Sequence, residues 1–166
     1  MTLRPYPVIE AIRSYYEDSP GCGGRSVHRY SVTVSRKMLD CRRKISKLFN
    51  SNQSDEIIFT KNATHSLNQV AKGLSWEKGD IILTTDREHN SNLVPWLQLE
   101  EEQGVDHRVV ESNDDNTFNI EAFEEACALA GDKLKMVSLS HVGNLDGFAV
   151  PVKDATKIDN DKGFIF

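Results

Sequence analysis

The sequence predicts an α/β fold with a mostly parallel sheet and flanking helices. From residue 51 onward, short apolar runs alternate with segments of helical periodicity. Strands that alternate with helices of this length form parallel sheets through right-handed crossovers. The 166 residues are 39% hydrophobic and 27% charged, which is typical of one globular domain with a real core.

The first fifty residues have the pattern of two amphipathic helices. Apolar side chains recur at helical spacing over residues 7–18 and again over residues 31–49. A proline- and glycine-rich loop at residues 20–24 separates them. We therefore expect an N-terminal helical segment at residues 1–50 and a partial large domain at residues 51–166.

The remainder of the chain alternates between strands and helices. Strands are predicted at residues 56–60, 80–84, 107–110, 135–140 and 164–166. Helices are predicted at residues 64–73, 90–103, 120–130 and 152–158. The last apolar run reaches Phe166. Because natural chain ends are usually polar and exposed, we expect this sequence to be a piece of a longer domain.

Composition excludes several classes of function. A net charge of −5 opposes nucleic-acid binding, which needs a concentrated basic surface. The three cysteines have no C-x-x-C spacing, and this argues against a disulfide framework or a zinc ribbon. No apolar run approaches the ~20 residues that span a bilayer, and Met1 is not followed by an apolar signal core. We expect a cytoplasmic protein that binds no membrane.

Polar residues follow the predicted strands, where ligands bind in open α/β sheets. After the first strand, Lys61–His65 opens a helix, and the free backbone N–H groups of a helix N-terminus suit a phosphate. Ala63 is small enough for close approach, and Thr64 adds a hydroxyl group. The alternative is that Asn62 or Thr64 simply caps the helix.

Two more polar loops follow the second and fourth strands. Thr85–Asn92 contains His89, which is suited to stacking or proton transfer, although a surface histidine in a capping loop is an equal alternative. His141–Gly147 presents Asn144 between two glycines, where asparagine also serves as a turn former. The spacing of the loop histidines matches no zinc motif, so we expect no metal site.

Three segments carry a resemblance to a known family. Residues 59–68, 88–96 and 140–147 resemble, in this order, the cysteine desulfurases and selenocysteine lyases. These enzymes belong to the class V aminotransferase group of fold type I pyridoxal-phosphate enzymes. The likeness extends from about Pro7 to Phe166, and the block Glu88–Trp96 is its most specific part. It implies that the chain forms an incomplete large domain of such an enzyme.

The resemblance implies a role for five residues. Ala63, Thr64 and His65 would bind the phosphate of pyridoxal 5′-phosphate. His89 would stack on the pyridine ring and assist proton transfer, which makes it the catalytic candidate, and Asn144 would hydrogen-bond the ring oxygen. The family usually has a Gly-Thr-Thr-Glu type of sequence in place of residues 62–65, so we expect altered phosphate binding.

The resemblance also defines the expected reaction. A complete parent would convert L-cysteine to L-alanine and leave the sulfur as an enzyme-bound persulfide. The aspartate that pairs with the ring nitrogen, the lysine that carries the cofactor and the catalytic cysteine loop would all follow Phe166. We therefore expect residues 1–166 alone to be inactive and to bind the cofactor weakly or not at all.

The partners implied for the parent are an amino-acid substrate, either L-cysteine or selenocysteine, and a second subunit in a homodimer. A sulfur-acceptor protein and a place in iron–sulfur cluster assembly are implied as well. The alternative function is a non-catalytic remnant that binds or oligomerises through its exposed sheet edge. A nucleotide-binding module is a third alternative, but the sequence has no glycine fingerprint for one.

Overall fold

The structure is a computed structural model that describes residues 3–24, 27–159 and 165. The chain divides into two compact units, residues 1–59 and residues 60–166. The division predicted from sequence lies at residues 50 and 51 and stays a prediction. Among the helices of the described residues, none is long and apolar enough to cross a membrane.

The first unit contains two helices, α1 (Tyr6–Asp18) and α2 (Arg29–Leu48), followed by a 3-10 turn at Ser54–Glu56. The side chain of His28 caps α2 by accepting a hydrogen bond from Ser31 N–H. The helix begins at Arg29, two residues before the start predicted from the sequence.

The predicted strand at residues 56–60 is wrong. Ile57 has an extended backbone, but no strand of the described residues pairs with it. Its carbonyl oxygen instead accepts a hydrogen bond from Arg42 Nε at 3.3 Å, and Ile58 is 75% exposed. An apolar run becomes a strand only when a neighbouring strand satisfies its backbone groups.

The second unit is built on a parallel sheet of β1 (Ile81–Thr85), β2 (Asp106–Val110) and β3 (Leu134–Val137) in the order β2-β1-β3. Ile165 bridges Met136 in the parallel direction on the free side of β3. Of the strand predicted at residues 164–166, the structure describes Ile165, which pairs with β3. Residues 164 and 166 lie outside the described part.

Four helices cover the two faces of the sheet: α3 (Ala63–Gly73), α4 (Val94–Gln103), α5 (Ile120–Ala130) and α6 (Val152–Asp159). On one face, Leu83 packs with Phe123 of α5 and Ala155 of α6. On the other face, Ile82 packs with Ala71 of α3 and Trp96 of α4. All five residues of β1 are buried, as expected for the central strand of a covered parallel sheet.

Two predicted boundaries differ from the structure by more than two residues. The helix expected from Asn90 is divided into a 3-10 turn, Asn90–Asn92, and α4, because Pro95 favours the first turn of a new helix. The strand expected to reach Ser140 ends at Val137. Beyond it, the polar groups of Ser138 and Ser140 bond to the loop after β1, as described below.

Candidate active-site rim

The carboxyl ends of β1 and β3 are joined by the side chain of Glu88. Its carboxylate accepts hydrogen bonds from the Thr85 hydroxyl at 2.8 Å and from Asn92 Nδ2 at 2.7 Å. It also accepts from Ser140 N–H at 3.0 and 3.1 Å and from Ser140 Oγ at 2.6 Å. Glu88 therefore ties the loop that follows β1 to the chain that leaves β3.

Asn92 extends this connection into the core. Its amide donates to the Ser138 carbonyl at 3.2 Å, and its Oδ1 accepts from Ser138 Oγ at 2.5 Å. The same oxygen accepts from the indole N–H of Trp96 at 3.2 Å, and both residues are buried. The polar groups at the base of the loop are thus satisfied within the fold, as buried polar groups require.

Asp86 and Arg87 fix the same loop to two further segments. Asp86 Oδ1 accepts from the backbone N–H of Ser112, at 3.2 Å, and from its hydroxyl, at 2.6 Å, just beyond β2. Arg87 Nη1 lies 3.3 Å from Asp146 Oδ2, in the loop after β3. Three consecutive charged residues, Asp86 to Glu88, therefore contact three different segments. We call this edge of the sheet, formed by the loops that follow its strands and by the first turn of α3, the rim.

His89 follows these anchors and is exposed. Ser91 N–H donates to His89 Nδ1 at 3.1 Å, and Ser91 Oγ lies 2.8 Å from the same nitrogen. Because Nδ1 accepts a backbone hydrogen bond, a neutral His89 ring carries its proton on Nε2. The ring is held by one edge, and Nε2 is the nitrogen that remains for a ligand.

The N-terminus of α3 is capped by Asn62, whose Oδ1 accepts from His65 N–H at 2.8 Å. Lys61 N–H donates to Nδ1 of His65 at 3.3 Å, so that side chain turns back onto its own loop. The backbone N–H groups of Ala63 and Thr64 have no acceptor among the described residues, and both residues are exposed. Because the cap occupies only one donor, capping by Asn62 does not exclude an anion at this terminus.

Asn144 lies near the tip of a hairpin that follows β3. Val142 pairs with Ala149, and Gly143 N–H donates to the Phe148 carbonyl at 2.8 Å. Gly147 adopts a φ of +76°, which glycine tolerates without strain. Asn144 is exposed, and in the described part of the chain its side chain has no hydrogen-bond partner.

The five residues predicted from sequence lie on three segments of one unit, and α3 packs against the 3-10 turn that follows His89. Within the described residues, no hydrogen bond joins any of the five to another. None of the five lines the small cleft formed by Thr85, Ser112, Ser140 and their neighbours. The assignment of these five residues to one cofactor site stays a prediction.

The residues that hold this rim were not singled out from the sequence as structural elements. They are Thr85, Asp86, Arg87, Glu88, Asn92, Ser138 and Ser140. The signal for them was the density of polar residues at 85–92 and the serines that alternate at the end of the predicted fourth strand. In the ranges 3–24 and 27–159, no cluster of three metal-ligating side chains occurs.

Two titratable groups, one in the sheet and one directly before β1, have pKa values shifted from their ordinary values. Burial lowers the pKa of His107 on β2, and the charges of Glu100 and Asp106 oppose this effect. Its Nε2 lies 2.8 Å from the hydroxyl of buried Thr84. At the other end of β1, slight burial raises the pKa of Asp80, but hydrogen bonds from Glu77 N–H and Lys135 outweigh it and hold that pKa below its ordinary value.

Comparison with known proteins places this architecture in a family. The aminotransferase class-V family model matches residues 1–166. The chain is 36% identical to a probable cysteine desulfurase of Pyrococcus abyssi over 167 residues, which cover 99% of this chain and 40% of that protein. It spans about 40% of the length of the curated relatives that it matches.

Solved structures agree with this assignment. The apo structure of the cysteine desulfurase from Thermococcus onnurineus NA1 superposes with a TM-score of 0.90 at 34% identity, over 99% of this chain and 40% of that chain. A C-DES variant, with glycine covalently linked to its PLP cofactor, has a TM-score of 0.75 at 22% identity, over 93% of this chain and 39% of that chain, and shows the fold alone. The chain therefore belongs to the class-V aminotransferase family and has the partial fold of a cysteine desulfurase large domain.

Proposed function

We propose that this chain supplies the phosphate-binding and ring-facing residues of a pyridoxal-phosphate site in a cysteine desulfurase. The observation that carries the proposal is the N-terminus of α3, where the N–H groups of Ala63 and Thr64 remain open beside a capped first turn. Membership of the class-V aminotransferases and 36% identity to a probable cysteine desulfurase support the choice of cofactor and reaction.

The residues present fit the cofactor by their open groups. Two backbone donors and the Thr64 hydroxyl would hold the phosphate, while His65 contributes little because Asn62 already occupies its N–H. Asn144 has an unused side-chain amide, which is suited to the ring oxygen. The altered sequence of this turn thus leaves two backbone donors for the phosphate, which supports weak binding.

His89 would be the catalytic residue on the ring face. Because Ser91 holds Nδ1, the atom that would move a proton is Nε2. Bound pyridoxal phosphate would supply the electron sink for cleavage of the amino-acid substrate. The exposed position of His89 leaves its ring accessible for stacking, and its anchored loop limits the directions in which Nε2 can point.

Under this proposal the complete enzyme converts L-cysteine to L-alanine and passes the sulfur to an acceptor protein; with selenocysteine as substrate, the atom passed on would be selenium. The enzyme would be a cytoplasmic homodimer that serves iron–sulfur cluster assembly. The chain spans about 40% of its relatives' length, and we propose that residues 1–166 tested by themselves do not turn over. Weak cofactor binding without alanine release is therefore the expected behaviour.

The test is a titration of the chain with pyridoxal 5′-phosphate, followed by fluorescence, together with an assay of alanine release from L-cysteine. We expect Asn144→Ala and His89→Gln each to weaken binding about three- to tenfold, through loss of one hydrogen bond in the first variant and of ring stacking in the second. The control is His141→Gln, because that side chain is exposed and bonds to no described residue. Equal affinity of all four proteins would contradict the proposed site.

The alternative function is a non-catalytic binding or oligomerising module. It is favoured by the exposed apolar side chains of α1, among them Tyr6 at 72% and Tyr16 at 69% exposure. Absence of cofactor binding in the titration, together with concentration-dependent association in sedimentation, would favour it over the cofactor site.

A further inference from the structure

The hairpin that carries Asn144 also contains the carboxylate of Asp146, which bonds within the hairpin and beyond it. Asp146 Oδ1 accepts a hydrogen bond from Phe148 N–H at 3.1 Å. A Cβ atom at Gly143 would collide with this same oxygen, so the absence of a side chain at that position makes room for the carboxylate. Asp146 therefore has a defined position within the hairpin, set by contacts on two sides.

The second oxygen of this carboxylate points to the loop after β1. Arg87 Nη1 lies 3.3 Å from Asp146 Oδ2, and the two side chains are 36% and 27% exposed. The backbone of Arg87 is itself fixed, because its N–H donates to the Thr85 hydroxyl at 3.3 Å. The ion pair thus connects an anchored loop to the hairpin.

The two connected segments carry the two residues that would face the cofactor ring. Arg87 precedes His89 by two positions, and Asp146 follows Asn144 by two positions. Glu88 fixes the base of both segments through Ser140, but that contact lies four residues before Asn144. Among the hydrogen bonds and ion pairs that join the two loops in the described residues, the Arg87–Asp146 pair lies nearest to Asn144 in sequence.

We propose that Arg87 is a positioning residue, whose ion pair with Asp146 sets the place of the Asn144 hairpin relative to His89. This inference rests on the proposed function for its purpose, although the contact itself does not. A partly exposed ion pair contributes little to overall stability. Its effect is therefore expected in the position of the hairpin, and so in ligand binding, rather than in the unfolding transition.

The experiment compares four variants: Arg87→Gln, Arg87→Lys, Asp146→Asn and the double variant R87Q/D146N. Asparagine at 146 keeps an acceptor for Phe148 N–H and removes only the charge. The matched control is Arg108→Gln, because Arg108 pairs with Asp106 at 2.7 Å on β2 with similar exposure of 41% and 42%. Each protein is measured for pyridoxal 5′-phosphate affinity, melting temperature and amide hydrogen exchange in the hairpin.

We expect Arg87→Gln to weaken cofactor binding about two- to fivefold and to speed exchange of the Gly143 and Gly147 amides by a similar factor, with an unchanged melting temperature. Arg87→Lys should restore most of the affinity because it keeps the charge. The double variant should be no weaker than either single variant, because the pair is lost only once.

Two results would overturn the inference. One is hairpin exchange in Arg87→Gln that equals that of Arg108→Gln, and the other is additive effects of the two single variants. If the unsubstituted chain does not bind pyridoxal 5′-phosphate, the proposed function fails, while the exchange data still decide whether the pair holds the hairpin. The two failures are therefore distinguishable.

Discussion

The loop after β1 and the first turn of α3 belong to the same rim, but they are held in opposite ways. In the loop, Asp86, Arg87 and Glu88 each contact a different segment. In the turn, Asn62 occupies one donor, and the N–H groups of Ala63 and Thr64 remain open. The difference separates a part fixed by its own polar contacts from a part whose polar groups have no partner among the described residues, and our proposal assigns the second part to the ligand.

The largest expected effect is the loss of Asn92 from the fixed part. Asn92→Ala removes the partner of the Trp96 indole N–H and of the Ser138 hydroxyl, both of which lie in or near the core. Orphaned polar groups of this kind lower the free energy of unfolding by about 3 kcal/mol. Urea unfolding measures it, with Asn90→Ala, an exposed neighbour in the same turn, as control. Equal losses in the two variants would refute this role of Asn92.

The next effect is that of Glu88. Glu88→Gln replaces one acceptor oxygen by an NH₂ group that faces the donors of Ser140 and Asn92, and we expect a loss of about 2 kcal/mol in the free energy of unfolding. Glu101→Gln on exposed α4 surface is the control, with a change within about 0.5 kcal/mol. If both glutamines unfold alike, the loop is not held by this carboxylate.

A smaller effect is expected in the open part. Asn62→Ala removes the cap of α3 and should cost about 1 kcal/mol of stability, the usual value for such a cap. Asn62→Ser keeps a capping oxygen and should retain most of it. Thermal unfolding of the three proteins compares them, and a serine variant as unstable as the alanine variant would show that capping is not the reason.

The smallest effect is the pH dependence from His107 beneath the rim. Burial lowers its pKa in the folded state, so the unfolded state takes up a proton first as the pH falls below about 6.5, the ordinary value. Stability should therefore fall with pH from about 6.5 down to the lowered folded pKa. His107→Gln should flatten this slope in urea unfolding at several pH values, and exposed His141→Gln should not. An unchanged slope in His107→Gln would contradict the assignment.

The sequence predicted the parts of the fold that depend on local periodicity. The strands near 81, 107 and 135 and the helices α3, α5 and α6 follow from apolar spacing. The strand at 56–60 failed because its formation needs a neighbour, which no local pattern reveals.

The candidate site also contains groups of two kinds: polar groups without a partner, and side chains held by long-range contacts. Ala63, Thr64, His89 and Asn144 have polar groups without a partner among the described residues, and their role as cofactor ligands stays a prediction. The contacts of Glu88 with Ser140 and of Arg87 with Asp146 span more than fifty residues, and side-chain pairing at that separation leaves no periodic signal. The contacts that fix these loops were therefore not predictable from the sequence.

The most direct test of the central claim compares two ligands on the unsubstituted chain: pyridoxal 5′-phosphate and pyridoxal, which lacks the phosphate. If the open N–H groups of α3 and the Thr64 hydroxyl together hold the phosphate, the first ligand binds at least about tenfold more tightly, and Thr64→Val, which removes the hydroxyl and keeps the N–H, reduces this preference without lowering the melting temperature. Equal affinities for the two ligands, or the same preference in Thr64→Val, would contradict the account.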